Sequence, residues 1–492
     1  MVKDAIKILI GTAVANLFSI IRTFMIVRHL DPEIYGVWNL FTILLSYSTW
    51  CEFGVVSGMD KLVPFFRGQS REEEGFQTRN VAFTSLIIIY AFLTGILLFA
   101  AFIPLYPFPQ EILTGLELLA VIVFLAAMQN FYLTVARAEK KFGFISITSG
   151  LFAISVVVML FFLYRAVSNK LHATLLSFIL AYSLSLLFCL MFSGLTFKYQ
   201  LSIARLRKII PTGFPLVLIG IGYVLFTSVD RWMIAKYMTK WDLGQYAFSY
   251  TCGILLYSLA AVVAYVLYPR MLEKFGEGCN NAYFRPYIYK AMLMMSYVIA
   301  FSGCVLMIVL PILCPLFFPL YVTAITMTDI MIIGFFFISI ATITGNFLVA
   351  ANRQKTILIL QIFGIAVAGI ADYFVIIVTG DIQWVAIATA CFLSFYGVAI
   401  IYSSFRQMQC TSIDIFNIIR NLAVPLIAAA GFAIVVNTAN GAFFTRHQYT
   451  VIIPEIAILM TIYTGLFILQ NGANGILNRI KNLPVIRTVI SK

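Results

Sequence analysis

The chain has 492 residues, of which 62% are hydrophobic and only 11% charged. Soluble domains carry about 25% charged residues, so a soluble fold is excluded and a polytopic membrane protein is indicated. The net charge of +13 does not point to nucleic acid, because no polar domain is left to carry such a site.

A helix needs roughly 20 apolar residues to cross a bilayer. Fourteen stretches qualify: residues 5–28, 37–59, 81–104, 113–136, 143–165, 172–197, 211–237, 244–269, 288–314, 324–352, 356–380, 383–405, 416–437 and 450–470. Each is read as a helix, because lipid tolerates no open backbone polar group. The first stretch has no cleavage site behind it and is read as a retained span. The expected fold is an all-α polytopic membrane protein of about 14 transmembrane helices.

Charge orients these spans. With the N-terminus, the even-numbered loops and the C-terminus on one side, that side holds twenty-five of the 33 Lys and Arg residues, and the opposite loops hold six. Lys and Arg collect on the cytoplasmic side, so both termini are expected there, in the cytoplasmic (inner) membrane. The segment 198–210 is basic and amphipathic and reads as a cytoplasmic linker on the membrane surface.

The chain also repeats. At an offset of 208, Met25-Ile26 meets Met233-Ile234, Arg28 meets Lys236, Gly36 meets Gly244 and Trp38 meets Tyr246. At 216, Asn130-Phe131 meets Asn346-Phe347 and Arg137 meets Arg353. Two pseudo-symmetric six-helix bundles around a central cavity are therefore expected, at 1–197 and 211–405. Two additional helices (406–470) and an interfacial tail (471–492) follow. Parallel repeats of this kind occur in transporters that rock one half against the other.

Polar groups within spans carry the functional signal. Asp230 and Arg231 lie inside the apolar run 211–237, where an ionised side chain costs about 2.5–3.5 kcal/mol or more. Neighbours on a helix point apart, so each is expected to find a partner elsewhere or to face water. Span one carries Arg22 beside a stripe of Thr12, Asn16, Ser19 and Thr23. Glu52, Asn130, Asn346 and Asp372 complete the set. Two readings stand: these groups pair between helices and fix the packing, or they line a transport cavity. The repeat register also suggests that Arg22 meets Asp230 directly.

Other chemistry is not encoded. Eight cysteines fall mostly in spans without CxxC spacing and read as small apolar residues. The three histidines, His29, His172 and His447, lie near span ends. No nucleotide-binding loop is present, and neither a catalytic constellation nor a metal site can be assembled.

With these residues in view, the chain resembles the O-antigen and exopolysaccharide flippases of the multidrug/oligosaccharidyl-lipid/polysaccharide exporter superfamily. The resemblance rests on the span from Lys7 to Arg28, the following Leu30-Asp-Pro-Glu-Ile-Tyr-Gly36, Glu52-Phe-Gly54, and Asp230-Arg231 followed by Gly244-Gln-Tyr246. It implies a non-enzymatic transporter of undecaprenyl-diphosphate-linked oligosaccharide units, working beside polysaccharide polymerase machinery. Arg22, Arg231, Asp230, Asn130 and Asn346 become the candidate substrate-binding residues. No cofactor is implied; coupling to Na⁺ or H⁺ has Glu52 and Asp372 as candidate sites. Sister lipid II flippases carry several arginines in spans one and two, whereas span two here offers Glu52. A drug/cation antiporter of the same superfamily is the alternative, and it would favour a mainly acidic cavity. A membrane polysaccharide polymerase or ligase is a third reading, but the longest outer loop, 438–449, is short for sugar chemistry.

Overall fold

The computed structural model describes residues 2–68, 71–102, 110–139, 141–276 and 279–442, with single positions 459, 461 and 465 beyond them. Most of the expected span 450–470, His447 and the tail 471–492 lie outside the described residues. The chain folds as α1 (Val2–His29), α2 (Pro32–Ser48), α3 (Val55–Gly68), α4 (Glu72–Phe102), α5 (Gln110–Ala138), α6 (Phe142–Ala166), α7 (Lys170–Phe192), α8 (Ile203–Phe226), α9 (Val229–Tyr237), α10 (Lys240–Gly276), α11 (Arg285–Phe317), α12 (Ala324–Ala350), α13 (Gln354–Thr379), α14 (Ile382–Gln407) and α15 (Ser412–Ala442). Among the described residues there is no strand.

Ten of these helices are long and apolar enough to cross a membrane, and the protein is an integral membrane protein. Most expected spans coincide with single helices: 143–165 falls within α6, and 383–405 within α14. Two do not. Span 37–59 is divided between α2 and α3, and span 211–237 between α8 and α9. Hydropathy averaged over a span-length window runs straight through such breaks, even though Glu52, Thr227 and Ser228 at them are polar.

The chain divides into two compact units, residues 1–247 and 248–492. In the first, α2 and α3 run antiparallel along α8, α9 and the start of α10. Glycines set the spacing. A Cβ on Gly213 would overlap Gly54 O, and one on Gly58 would overlap Ile209 O. Gly54 and Gly58 are four residues apart, the small-xxx-small pattern that lets helix backbones approach in membranes. At the far end, a Cβ on Gly36 would lie 2.9 Å from Lys240 O and 3.1 Å from Gly244 N, while one on Gly244 would overlap Pro32 O. Gly36 and Gly244, and likewise Pro32 and Lys240, are pairs of the 208 repeat. Reciprocal contact between equivalent residues is the mark of a local two-fold relation.

The linker differs in form from a surface amphipath. Residues 194–202 are not helical and are strapped to α4, where Lys198 N–H donates to Asn80 Oδ1 (3.1 Å) and Gln200 N–H to Thr84 Oγ1 (2.9 Å). Phe197 stacks on Phe83, with ring centroids 4.7 Å apart. Helix resumes at Ile203, where the Ser202 hydroxyl caps α8.

The second unit is built around α12, two-thirds of whose apolar window is inside. Gly334 of α12 lies against Ala390 of α14, and Gly397 of α14 against Phe337 and Ile338. α13 presents one buried stripe: Ile357, Gln361, Gly364, Ala368, Asp372 and Ile376.

Gly213→Ala should lower the melting temperature of the detergent-solubilised protein, since overpacking costs about 1–3 kcal/mol. Gly150→Ala and Gly345→Ala, where an added Cβ meets nothing within 4 Å, should leave it unchanged in the same thermal assay.

Candidate functional site

A helix end leaves backbone N–H and C=O groups without partners, and lipid offers none. Both breaks in the first unit are therefore wired by side chains. At the end of α2, the Tyr90 hydroxyl of α4 donates to Ser48 O at 2.6 Å. The turn 49–54 then passes through left-handed backbone at Phe53 (φ 52°) and Gly54 (φ 88°). The buried Glu52 carboxylate covers the opening of α3: it accepts the Ser57 N–H at 3.1 Å, the Val56 N–H and the Ser57 hydroxyl. Glu52 is thus a helix cap in this structure, which gives a buried acid a structural task.

The second break lies across from the first. The carbonyl of Thr227 is taken by the Arg231 guanidinium, and the Ser228 hydroxyl donates to Val224 O at 2.7 Å. Tyr47 of α2 closes the gap. Its hydroxyl is 2.6 Å from Ser228 Oγ and accepts from Trp232 Nε1 at 3.1 Å.

Asp230 and Arg231 sit in the first turn of α9, 3% and 7% exposed. Arg231 Nε is 3.7 Å from Asp230 Oδ1, which also accepts the Arg231 N–H at 2.8 Å. The Tyr246 hydroxyl donates to Asp230 Oδ2. Arg231 Nη1 donates to Asn39 Oδ1 of α2 at 3.2 Å. Each thus has a partner elsewhere, Tyr246 for Asp230 and Asn39 for Arg231; the two also meet each other, because the break starts a new helix just before them and at a first turn the aspartate folds back onto its successor.

Arg22 is placed differently. It is half-buried in α1, its guanidinium 5.5 Å from the centroid of the Phe178 ring. Phe178 packs in turn against Trp38, with centroids 5.1 Å apart. Among the described residues Arg22 makes no ion pair, and the expected contact with Asp230 is not formed, because Asp230 is engaged by Arg231 and Tyr246. Of the stripe beside it, Thr23 bonds to Ser19 O (2.9 Å); the side chains of Thr12 and Asn16 lie outside the described set.

The remaining candidates are dispersed. Asn130 is exposed, and α5 turns Gln129 inward instead, donating to Ser185 Oγ at 2.6 Å. Asn346 ties α12 to α10 through Ala264 O (3.1 Å). Asp372 lies on the buried stripe of α13, 1% exposed. Sequence reasoning missed Asn39 and Tyr47, and singled out Tyr246 in the repeat and the family pattern without making it the partner of Asp230. Asn39 and Tyr47 are eight residues apart on one face of α2, a signal that was available. It also missed Asp329 in α12, whose buried Oδ1 has no hydrogen-bond partner among the described residues. His29 stacks on Tyr164 (4.4 Å), and His172 bonds to Thr114 (2.8 Å), so both have structural partners. Among the described residues no group of three His, Cys, Asp or Glu is arranged to hold a metal, and all eight cysteines are free.

The architecture matches solved membrane exporters. A structure of the lipid II flippase MurJ in an inward closed conformation superposes with a TM-score of 0.68 at 15% identity, covering 94% of this chain and 99% of that one. An inward-facing multidrug resistance MATE family transporter of the MOP superfamily superposes with a TM-score of 0.65 at 15% identity, covering 82% and 98%. The fold is that of this superfamily. In sequence, a Shigella flexneri protein named "Putative O-antigen transporter" is 21% identical over 381 residues, 72% of this chain and 86% of its own length. The family described as "Polysaccharide biosynthesis protein" matches residues 25–285, more than half of the chain, which belongs to that family.

Removing one partner of a buried ion pair costs roughly 3–5 kcal/mol. Asp230→Ala should therefore sharply reduce folded protein recovered from membranes. The double variant Asp230→Ala/Arg231→Leu should recover part of that loss, and a thermal-melt double-mutant cycle would report the coupling. Tyr90→Phe should cost about 0.5–1.5 kcal/mol in a thermal melt, the net worth of one hydrogen bond, because Ser48 O keeps the Cys51 N–H as a donor.

Proposed function

We propose that this protein is a flippase that carries undecaprenyl-diphosphate-linked oligosaccharide units from the inner to the outer leaflet of the cytoplasmic membrane, with both termini inside. The observation that carries the reading is the state of Arg22. It is a cation set among apolar helices, seated on an aromatic ring and without a carboxylate partner among the described residues. Such a charge is costly in a membrane, and an anionic cargo gives it a use. Guanidinium groups match phosphate oxygens bidentately, and a low dielectric strengthens the contact. Family membership and the similarity to the Shigella protein support a surface-polysaccharide substrate.

The two arginines take different parts in this reading. Arg22 receives the diphosphate. Arg231, engaged by Asn39, Thr227 and Asp230, joins the binding set only when α9 moves away from α2. The drug/cation antiporter reading needs an acid open to a cation, and Asp230 is instead held by Tyr246 and Arg231. Export of an anion from a negative interior gains roughly 2.3 kcal/mol per charge per 100 mV, so the potential alone biases the direction. Where Na⁺ or H⁺ is coupled as well, Asp372 is the candidate acid; Glu52 is occupied as a cap.

Arg22→Ala should leave protein level and melting temperature unchanged while surface polysaccharide falls at least about tenfold, the effect of losing roughly 1.4 kcal/mol of binding, and lipid-linked repeat units accumulate in the membrane. Arg22→Lys should restore part of the display. Normal display in Arg22→Ala, measured by polymer immunoblot, would remove the arginine from this role.

A further inference from the structure

The segment joining α7 to α8 has a surface that the transport reading does not use. Both helices are long and apolar enough to cross a membrane, and only residues 193–202 separate them, so this segment lies at a membrane face. It is held in place from behind. Lys198 and Gln200 donate their N–H groups to α4, Arg79 donates to Thr196 O at 3.2 Å, and Lys141 donates to Ser193 O at 2.8 Å. What it turns outward is apolar: Tyr199, Leu201 and Ile203 are 80%, 58% and 66% exposed. Exposed Lys198, Arg207 and Lys208 flank them.

The chain on this edge is basic, and of the acids that α4 brings alongside, Glu74 pairs with Arg71 and Glu73 accepts from Gln77, which in turn accepts from Arg205. From residue 140 to residue 229 the sequence has no Asp or Glu. The acid at the start of that stretch, Glu139, is engaged by Arg79 and Lys141. A row of apolar tips beside Lys198, Arg207 and Lys208, which form no ion pair among the described residues, at the end of two spans, is complementary to anionic headgroups lying over acyl chains. A tyrosine at this depth puts its ring in the boundary and its hydroxyl among headgroups. Because the strap backbone is already pinned to α4, only the side chains have to be ordered on contact.

We propose that residues 198–208 form a binding site for anionic phospholipid. Tyr199, Leu201 and Ile203 enter the acyl boundary, and Lys198, Arg207 and Lys208 take headgroup phosphate oxygens. The site is independent of the cargo.

The test uses the full chain in nanodiscs of phosphatidylglycerol and phosphatidylcholine at equal amounts, with lipids retained after release counted by native mass spectrometry. The unsubstituted protein should keep phosphatidylglycerol in preference to phosphatidylcholine. Each cation near an anionic surface is worth about fivefold in binding, so Lys198→Gln/Arg207→Gln/Lys208→Gln should lose most of that preference. Neutralising the exposed Lys61, Arg353 and Lys355 should lose much less. Tyr199→Ser/Leu201→Ser/Ile203→Ser, with every charge kept, should also weaken retention, and Lys198→Arg/Arg207→Lys/Lys208→Arg should restore it if the glutamine variant fails to fold. Equal losses in the strap and control triples would reduce the effect to bulk charge and overturn the proposal. So would unchanged phosphatidylglycerol with loss of a co-purifying protein instead, which would make the strap a protein-docking surface.

Discussion

A backbone group set free inside lipid has to find a partner within the protein, and much of the first unit follows from that requirement. Two of its membrane helices stop and restart part-way. Each break frees carbonyls behind it and N–H groups ahead of it. Tyr90, Glu52 and Arg231 meet that demand, one from a neighbouring helix and two from within the broken segments. Remove those three contacts and the breaks become untenable; without the breaks, Asp230 would sit in mid-helix instead of in a first turn.

Helix association in this unit cannot draw on the hydrophobic effect in the usual way, since acyl chains are as apolar as leucine. Close approach takes its place. Gly36, Gly54, Gly58, Gly213 and Gly244 bring the α2–α3 line within backbone contact of α8 and of the start of α10. Polar rungs then lie between the glycine rungs: Asn39 with Arg231, and Tyr47 with Ser228 and Trp232. Small residues set the distance and hydrogen bonds set the register, so neither alone would specify this pairing.

The same environment separates the roles of the two arginines. Arg231 is engaged by Asn39 and Thr227 through hydrogen bonds and by Asp230 through charge, and its charge is absorbed in holding α9 to α2. Arg22 forms no ion pair among the described residues and is set against the Phe178 ring. A guanidinium over a ring is stabilised but keeps its N–H donors directed away from the ring plane's centre, available to a planar or tetrahedral anion. That difference is one of neighbours, not of residue type.

Composition, hydropathy and charge asymmetry sufficed to establish an all-helical membrane protein, most of its spans and the offset that pairs Gly36 with Gly244, because apolar run length and repeat spacing are properties of the chain itself. They also singled out Arg22, Asp230 and Arg231, since ionised groups are rare in apolar runs. What each one touches was decided only in three dimensions. The breaks at 49–54 and 227–228 are averaged away in span-length hydropathy, so the sequence left Glu52 open between a packing and a coupling role, and the fold makes it a cap. The aspartate–arginine contact likewise needed a helix start that one-dimensional periodicity continues straight through. Asn130 and Gln129 are adjacent and equally polar, and only the rotation of α5 against its neighbours determines which of them turns inward.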